Sequence, residues 1–128
     1  KNFKKNPKIA ITGLNPHCES NFKDCEEDAM IAPAIRTLKA KNFKVEGPFP
    51  ADTIFMQEHI KKFDIIIGMY HDQVLGPMKA MFGFDAINIT LGLPFIRISP
   101  DHGPNSSMLG KNISNPKSLI EALKFLDK

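Results

Sequence analysis

Apolar runs in this chain end at residues able to bind a metal ion or move a proton. Residues 65–67 are followed closely by His71 and Asp72, and residues 9–11 lead to His17. In an open parallel sheet, ligands bind in the crevice beyond the carboxyl ends of the strands. The sequence therefore predicts a functional site along that edge.

His17 and His71 are the metal candidates, because neutral imidazole is a good ligand for zinc and other divalent ions. They are distant in sequence, and no HExxH pattern is present. A catalytic zinc usually has three protein ligands and an open position. Judged by spacing alone, each histidine is therefore better explained as a capping or solvent-exposed side chain than as a metal ligand. Asp72 can orient an imidazole or act as a base. Asp52 is either an acid or base, or a helix cap.

Lys79, Asn88 and Arg97 are candidates to hold an anionic substrate. Arginine binds a carboxylate or phosphate through a planar fork, and lysine binds it as a compact charge. Lys79 is equally consistent with a solvated helix face, and Arg97 with an ion pair to a buried carboxylate. Asn88 is more suggestive, because an amide buried in a strand needs hydrogen-bond partners.

The composition is that of one soluble domain: 128 residues, 42% hydrophobic and 24% charged. The net charge of +3 and the scattered lysines do not form a nucleic-acid footprint. No apolar run approaches the roughly 20 residues of a membrane span, and a signal-peptide core is absent. We expect a cytoplasmic protein that binds neither membranes nor nucleic acid, with Cys18 and Cys25 as free thiols.

Strands and helices alternate along the chain, which favours a layered α/β architecture with a mainly parallel or mixed sheet. Asp24 is expected to cap the first helix, in which Pro33 predicts a kink or late start, and Asn115 to cap the last. Residues 65–69 are expected to form a buried strand. The predicted strands are 8–12, 44–49, 65–69, 86–91 and 95–99, and the predicted helices are about 24–39, 54–62, 72–81 and 116–126.

Four motifs together closely resemble the 4-hydroxythreonine-4-phosphate dehydrogenase family. They are Gly13-Leu14-Asn15-Pro16-His17, Pro50-Ala51-Asp52-Thr53, Met69-Tyr70-His71-Asp72-Gln73 and the run from Asn88 to Arg97. Such enzymes are much longer and have an additional amino-terminal part. The resemblance implies that residues 1–128 form a single carboxyl-terminal segment of a two-domain dehydrogenase. Its fold would be an incomplete three-layer α/β/α architecture, like isocitrate and isopropylmalate dehydrogenases.

The resemblance implies NAD-dependent oxidation of 4-phosphooxy-L-threonine in pyridoxine 5'-phosphate biosynthesis. The product, 2-amino-3-oxo-4-phosphooxybutanoate, would lose carbon dioxide to give 3-amino-2-oxopropyl phosphate. A divalent ion (zinc, magnesium or cobalt) would be held by three histidines, of which two match His17 and His71. The third lies in the amino-terminal part, so this segment alone is expected to be inactive. Sites would be shared between the subunits of a homodimer.

The family also suggests roles for the other candidates. Lys79, Asn88 and Arg97 match substrate-binding positions, while Asp52 and Asp72 are candidates for a base or relay. The loop containing His102 and Gly103, with Asn115, resembles the part that holds the adenosine end of NAD, and NADP is a possible substitute.

Two other functions stay open from the sequence. One is a dehydrogenase of a phosphorylated sugar acid, such as a phosphothreonate or phosphoerythronate, which substrate profiling would distinguish. The other is a noncatalytic interaction module with a decayed site, which loss of metal binding would favour.

Overall fold

The computed structural model describes residues 4–19, 23–104 and 106–127, and the chain forms two compact units, Lys1–Pro77 and Met78–Lys128. The first unit packs a helix against a three-stranded parallel sheet, so the predicted α/β class is confirmed. Membership of a larger two-domain dehydrogenase stays a prediction. The elements are β1 (Ile9–Thr12), α1 (Ala32–Ala40), β2 (Val45–Phe49), α2 (Gln57–Ile60), β3 (Ile65–Ile67), α3 (His71–Phe82), β4 (Ile87–Thr90), β5 (Arg97–Pro100) and α4 (Lys117–Leu126).

β1 is the central strand of the first sheet, whose order is β2-β1-β3. Both neighbours run parallel to it, and Ile9 pairs with Val45 on one side and Ile65 on the other. Ala10 and Thr12 are fully buried as a result. Because all three strands point the same way, the loops that follow them leave from one edge of the sheet.

The core of the first unit joins this sheet to α1 through Ile11, Ile31, Ile35 and Val45. Burying one such side chain contributes about 1.5–3 kcal/mol. A π-helical turn at Glu27–Ile31 precedes α1. Pro33 lies in the first turn of α1, and the π-helical turn runs into α1 without a break. The helical stretch therefore does not start late, and the departure from α-helix before Pro33 is closer to the predicted alternative of a distorted helix.

Three local predictions for this unit were wrong. Asp24 does not cap the helix, because its φ of 64° places it in the left-handed region and Glu26 occupies the cap position. β3 is not buried, since it pairs only with β1 among the described strands, and Ile65 and Ile67 are 38% and 41% exposed. α2 is shorter than predicted because the preceding residue, Met56, is extended, with ψ 144°.

The second unit packs α4 against an antiparallel pair, β4 and β5. The hydroxyl of Ser118, in the first turn of α4, donates to Ala86 O at 2.7 Å and accepts from Asp101 N at 3.0 Å. Asn115 Oδ1 accepts from Lys117 N at 2.9 Å, so Asn115 does bond the first turn of α4. The N-cap itself is Pro116, one residue later than predicted.

Two further sequence predictions concern the cysteines and membrane insertion. Cys18 and Cys25 are both free thiols. Within the described ranges, no helix has the length and apolar character needed to span a bilayer.

Candidate functional site

The loops after β1 and β2 meet through a histidine and a carboxylate. His17 Nδ1 lies 2.9 Å from Asp52 Oδ2, and both side chains are exposed. A backbone contact reinforces the pair, since Asp52 N lies 3.5 Å from Pro16 O. An ionised carboxylate can only accept, so a neutral imidazole bonded to it would carry its proton on Nδ1 and keep the lone pair of Nε2 for another partner.

The start of α3, directly after β3, carries a second pair of the same kind. His71 Nδ1 lies 2.7 Å from Asp72 Oδ1, and both side chains are again exposed. The two aspartates predicted as bases or relays are therefore each hydrogen-bonded to a predicted metal ligand. The alternative interpretation of Asp52 as a helix cap was wrong, because Met56 is the N-cap of α2.

Glu27 anchors the loop that carries His17. It is only 2% exposed, and its Oε1 accepts hydrogen bonds from Leu14 N at 2.8 Å and Asn15 N at 2.9 Å. The N–H of Asn15 is the strongest of the influences that lower the pKa of this carboxyl, against the opposing effect of burial. The ionised form of Glu27 is therefore the one that holds the loop.

The loop also holds itself through Asn15, whose Oδ1 accepts from His17 N at 3.1 Å and Glu19 N at 3.0 Å. This is an Asx-type arrangement, in which a short side chain takes the place of a backbone acceptor. The backbone at His17 is thereby fixed relative to the end of β1.

Gln73 joins this loop to the turn that carries His71. Its Oε1 accepts from Thr12 Oγ1 at 2.8 Å and from Met69 N at 2.7 Å. Its Nε2 donates to Gly13 O at 2.8 Å and Leu14 O at 3.2 Å. Gln73 is buried, with an exposed fraction of only 7%.

The two histidine pairs fit a divalent metal in their chemistry. Metal-binding imidazoles usually donate their other N–H to a carboxylate or carbonyl, which orients the ring. His17 and His71 both have this arrangement, which leaves Nε2 of each ring as the atom that could bind a metal ion. In the part of the chain that is described, however, no three His, Cys, Asp or Glu side chains are grouped to hold a metal ion. These histidines therefore offer part of a ligand set.

Gly13, at the end of β1, has no room for a side chain. A Cβ there would overlap the Sγ of Cys18 and lie 3.0 Å from Glu27 Oε1. We expect Gly13→Ala to lower the free energy of unfolding by about 2 kcal/mol, the usual cost of overpacking a tight site. Urea unfolding of the variant and the wild type measures the difference.

Two controls accompany the Gly13 variant. Adding Cys18→Ala removes the overlapping sulfur and should recover part of the lost stability. Gly76→Ala places a Cβ where no atom lies within 4 Å, and it should leave stability unchanged or raise it. Wild-type stability in the Gly13→Ala single variant would contradict the close packing of this loop.

Lys79, His102 and Gly103 line one pocket of the second unit, with a volume of about 230 Å³. Its other lining residues are Gly83, Phe84 and Asp101. His102 Nδ1 lies 3.0 Å from Gly103 O, so a proton on Nδ1 would be donated to that carbonyl. A predicted substrate residue and two predicted cofactor residues thus share this pocket.

Asn88, Arg97 and Asn115 do not line that pocket. Asn88 is exposed on β4, so the expectation of a buried amide was wrong. Arg97 Nη1 donates to Thr90 Oγ1 at 2.7 Å across the β4–β5 pair, rather than binding a buried carboxylate. Asn115 bonds the first turn of α4, as described above, and its predicted cofactor role stays a prediction.

Sequence reasoning missed the two buried polar side chains, Glu27 and Gln73, that position the histidine loops. Gln73 lies in the quoted motif, directly after His71 and Asp72. Glu27 lies among consecutive acids near the start of the first predicted helix, where an exposed position is the usual one. Periodicity offered a signal for neither, because a buried polar group is recognised by its partners and not by its spacing.

Comparison with known proteins identifies relatives across nearly the whole chain. The family model described as pyridoxal phosphate biosynthetic protein PdxA matches residues 1–126. A 4-hydroxythreonine-4-phosphate dehydrogenase of Bradyrhizobium diazoefficiens is 46% identical over 123 residues, covering 95% of this chain and 36% of that protein. A D-threonate 4-phosphate dehydrogenase of Cupriavidus necator is 46% identical over 121 residues, covering 92% of this chain and 36% of that protein.

Solved structures agree with the sequence matches. The crystal structure of 4-hydroxythreonine-4-phosphate dehydrogenase from Klebsiella pneumoniae superimposes with a TM-score of 0.76 at 40% identity, covering 95% of this chain and 37% of that one. The enzyme from Burkholderia phymatum gives a TM-score of 0.71 at 41% identity, covering 94% of this chain and 37% of that one. The chain therefore spans about a third of the length of the relatives it matches.

Proposed function

Because the chain belongs to the PdxA family of pyridoxal phosphate biosynthetic proteins, we propose that the whole protein oxidises 4-phosphooxy-L-threonine with NAD. The product would be 2-amino-3-oxo-4-phosphooxybutanoate, which decarboxylates to 3-amino-2-oxopropyl phosphate on the route to pyridoxine 5'-phosphate. The observation that carries the proposal is the pair of histidine–aspartate contacts at the carboxyl edge of the parallel sheet.

His17 and His71 are proposed to hold a divalent ion (zinc, cobalt or magnesium) through Nε2. A third ligand from the rest of the longer protein would complete the three usually found at catalytic sites. Such an ion lowers the pKa of a bound hydroxyl and withdraws electrons when carbon dioxide is lost. Since two imidazoles do not complete the site, the 128 residues alone are expected to show no turnover.

Asp52 and Asp72 are proposed to hold the proton on Nδ1 of their histidines. This keeps Nε2 unprotonated and fixes the plane of each ring. Their contacts with imidazole favour this orienting role over removal of a substrate proton, although a relay through the same hydrogen bond uses the same geometry.

Lys79, Asn88 and Arg97 are proposed to bind the phosphate and carboxylate of the substrate. All three side chains are exposed and carry hydrogen-bond donors suited to anionic oxygens. His102, Gly103 and Asn115 are proposed to contact the adenosine end of NAD, or of NADP. NAD supplies the hydride acceptor, and the pocket shared by Lys79 and His102 supports adjoining substrate and cofactor subsites.

We further propose a cytoplasmic homodimer with sites shared between subunits, and no role in binding membranes or nucleic acid. The modest net charge of +3 supports a small-molecule enzyme over a nucleic-acid binder.

Substrate profiling of the full-length protein tests the proposal. Cobalt- or zinc-loaded protein with NAD should form NADH with 4-phosphooxy-L-threonine, with a higher kcat/KM than with D-threonate 4-phosphate. The comparison isolates one group, because the first compound has an amine where the second has a hydroxyl. Absence of turnover with both compounds, at full metal loading, would contradict a dehydrogenase.

The second candidate is a dehydrogenase of D-threonate 4-phosphate or another phosphorylated sugar acid. The Cupriavidus necator relative favours it, because it is as similar to this chain as the Bradyrhizobium diazoefficiens enzyme. A kcat/KM that is higher for the hydroxy acid would establish this alternative. A noncatalytic module would be indicated if the full-length protein bound neither metal nor NAD.

A further inference from the structure

Gln73 uses every hydrogen-bonding position of its side chain close to the two histidines. A neutral amide offers two acceptor positions on oxygen and two N–H donors. All four are used here, by Thr12, Met69, Gly13 and Leu14. These four partners lie at or just after the ends of β1 and β3, and none lies in α3, which contains Gln73.

The partners of Gln73 lie close in sequence to the proposed ligands. Gly13 O and Leu14 O belong to the loop that reaches His17, and Met69 N lies two residues before His71. Carbonyls that have left a sheet no longer find strand partners, so a side chain must satisfy them where they are buried. Gln73 does so for both loops at once.

Glu27 binds the same loop through the loop's backbone N–H groups. It accepts from the N–H groups of Leu14 and Asn15, while Gln73 donates to the carbonyls of Gly13 and Leu14. Both the N–H groups and the carbonyl groups of this loop are therefore hydrogen-bonded to buried side chains. Of these two side chains, Gln73 is the one that also bonds to the turn before His71.

We propose that Gln73 is a positioning residue that sets the placement of the His17 imidazole relative to the His71 imidazole. The inference rests on the proposed function, in which both rings bind one metal ion. Residues that orient metal ligands typically change metal affinity by about 10–100-fold when they are substituted.

Gln73→Glu tests this in the full-length protein, because it keeps the shape and removes the N–H donors. The carboxylate would face Gly13 O and Leu14 O, which are both acceptors. We expect Co²⁺ to bind about 10–100-fold more weakly, with shifted visible absorption bands at saturating Co²⁺. Ile35→Val, a mild core substitution, controls for general loss of stability and should bind Co²⁺ as the wild type does.

Thr12→Val provides a second variant that keeps the volume of a fully buried residue. It removes one of the hydrogen bonds to Gln73 Oε1 and should weaken Co²⁺ binding about threefold. If Gln73→Glu folds and keeps the wild-type affinity and spectrum, the inference is overturned. If Gln73→Glu does not fold, unchanged Co²⁺ affinity in Thr12→Val overturns it.

The same titrations separate this inference from the proposed function. If His17→Ala and His71→Ala both bind Co²⁺ as tightly as the wild type, the proposed metal site is overturned, and the inference with it. Binding that needs both histidines but is unaffected in Gln73→Glu overturns only the role of Gln73.

Discussion

Replacing His71 by alanine is expected to lower turnover of the full-length protein by about a thousandfold. Lewis-acid catalysis contributes several kcal/mol to the reaction, and each 1.36 kcal/mol is about a tenfold change in rate. The loss should appear as an equal fall in kcat and kcat/KM at fixed metal concentration. NADH formation and bound metal content, measured on the same samples, test this.

His59→Gln is the matched control for His71→Ala. His59 Nδ1 lies 3.0 Å from Thr53 O, and the proposed site does not use it, so turnover and metal content should stay near those of the wild type. Asp72→Asn should fall between the two variants, with metal affinity lowered about 10–100-fold. Full metal content and turnover in His71→Ala would show that this imidazole is not a ligand.

Replacing Glu27 by glutamine is expected to lower the free energy of unfolding by about 2 kcal/mol at neutral pH, because two hydrogen bonds lose the assistance of a charge. The loss should shrink as the pH falls. The pKa of Glu27 is lower in the folded protein than its usual 4.5, so the wild-type advantage is complete above the unfolded value. It disappears as the pH drops through the lowered folded value.

Urea unfolding of Glu27→Gln and the wild type, at neutral pH and at about pH 3, measures this dependence. Asp28→Asn is the control, since Asp28 is the neighbouring acid on the same turn but is exposed. It should change stability little at either pH. A constant difference between Glu27→Gln and the wild type across this range would exclude Glu27 ionisation as the source of the loop's stability.

The placement of the candidate site could be predicted because it depends on strand direction. Once residues 9–12 and 65–67 are assigned to parallel strands, His17 and His71 must follow the same edge of the sheet. The antiparallel course of β4 and β5 was also accessible from the sequence. Only six residues connect them, and a connection this short joins antiparallel neighbours, whereas parallel strands need a long crossover.

Side-chain direction could not be predicted in the same way. Glu26, Glu27 and Asp28 are consecutive acids, and only the final packing of the π-helical turn decides that Glu27 points inward. The exposure of Asn88 has a related cause, because strand periodicity does not tell which face of a two-stranded pair is covered. The exposure of β3 depends on which strands lie beside it, which no local pattern records.

The hydrogen bonds of Gln73 also determine when the site can form during synthesis of the chain. Those to Thr12, Gly13 and Leu14 join positions 59 to 61 residues apart, so the loop carrying His17 is complete only after the start of α3 has been made. At typical translation rates that interval lasts about 3 to 12 seconds. In the proposed function, metal binding would therefore follow the formation of these hydrogen bonds, and a bound ion would stabilise the loops that they join.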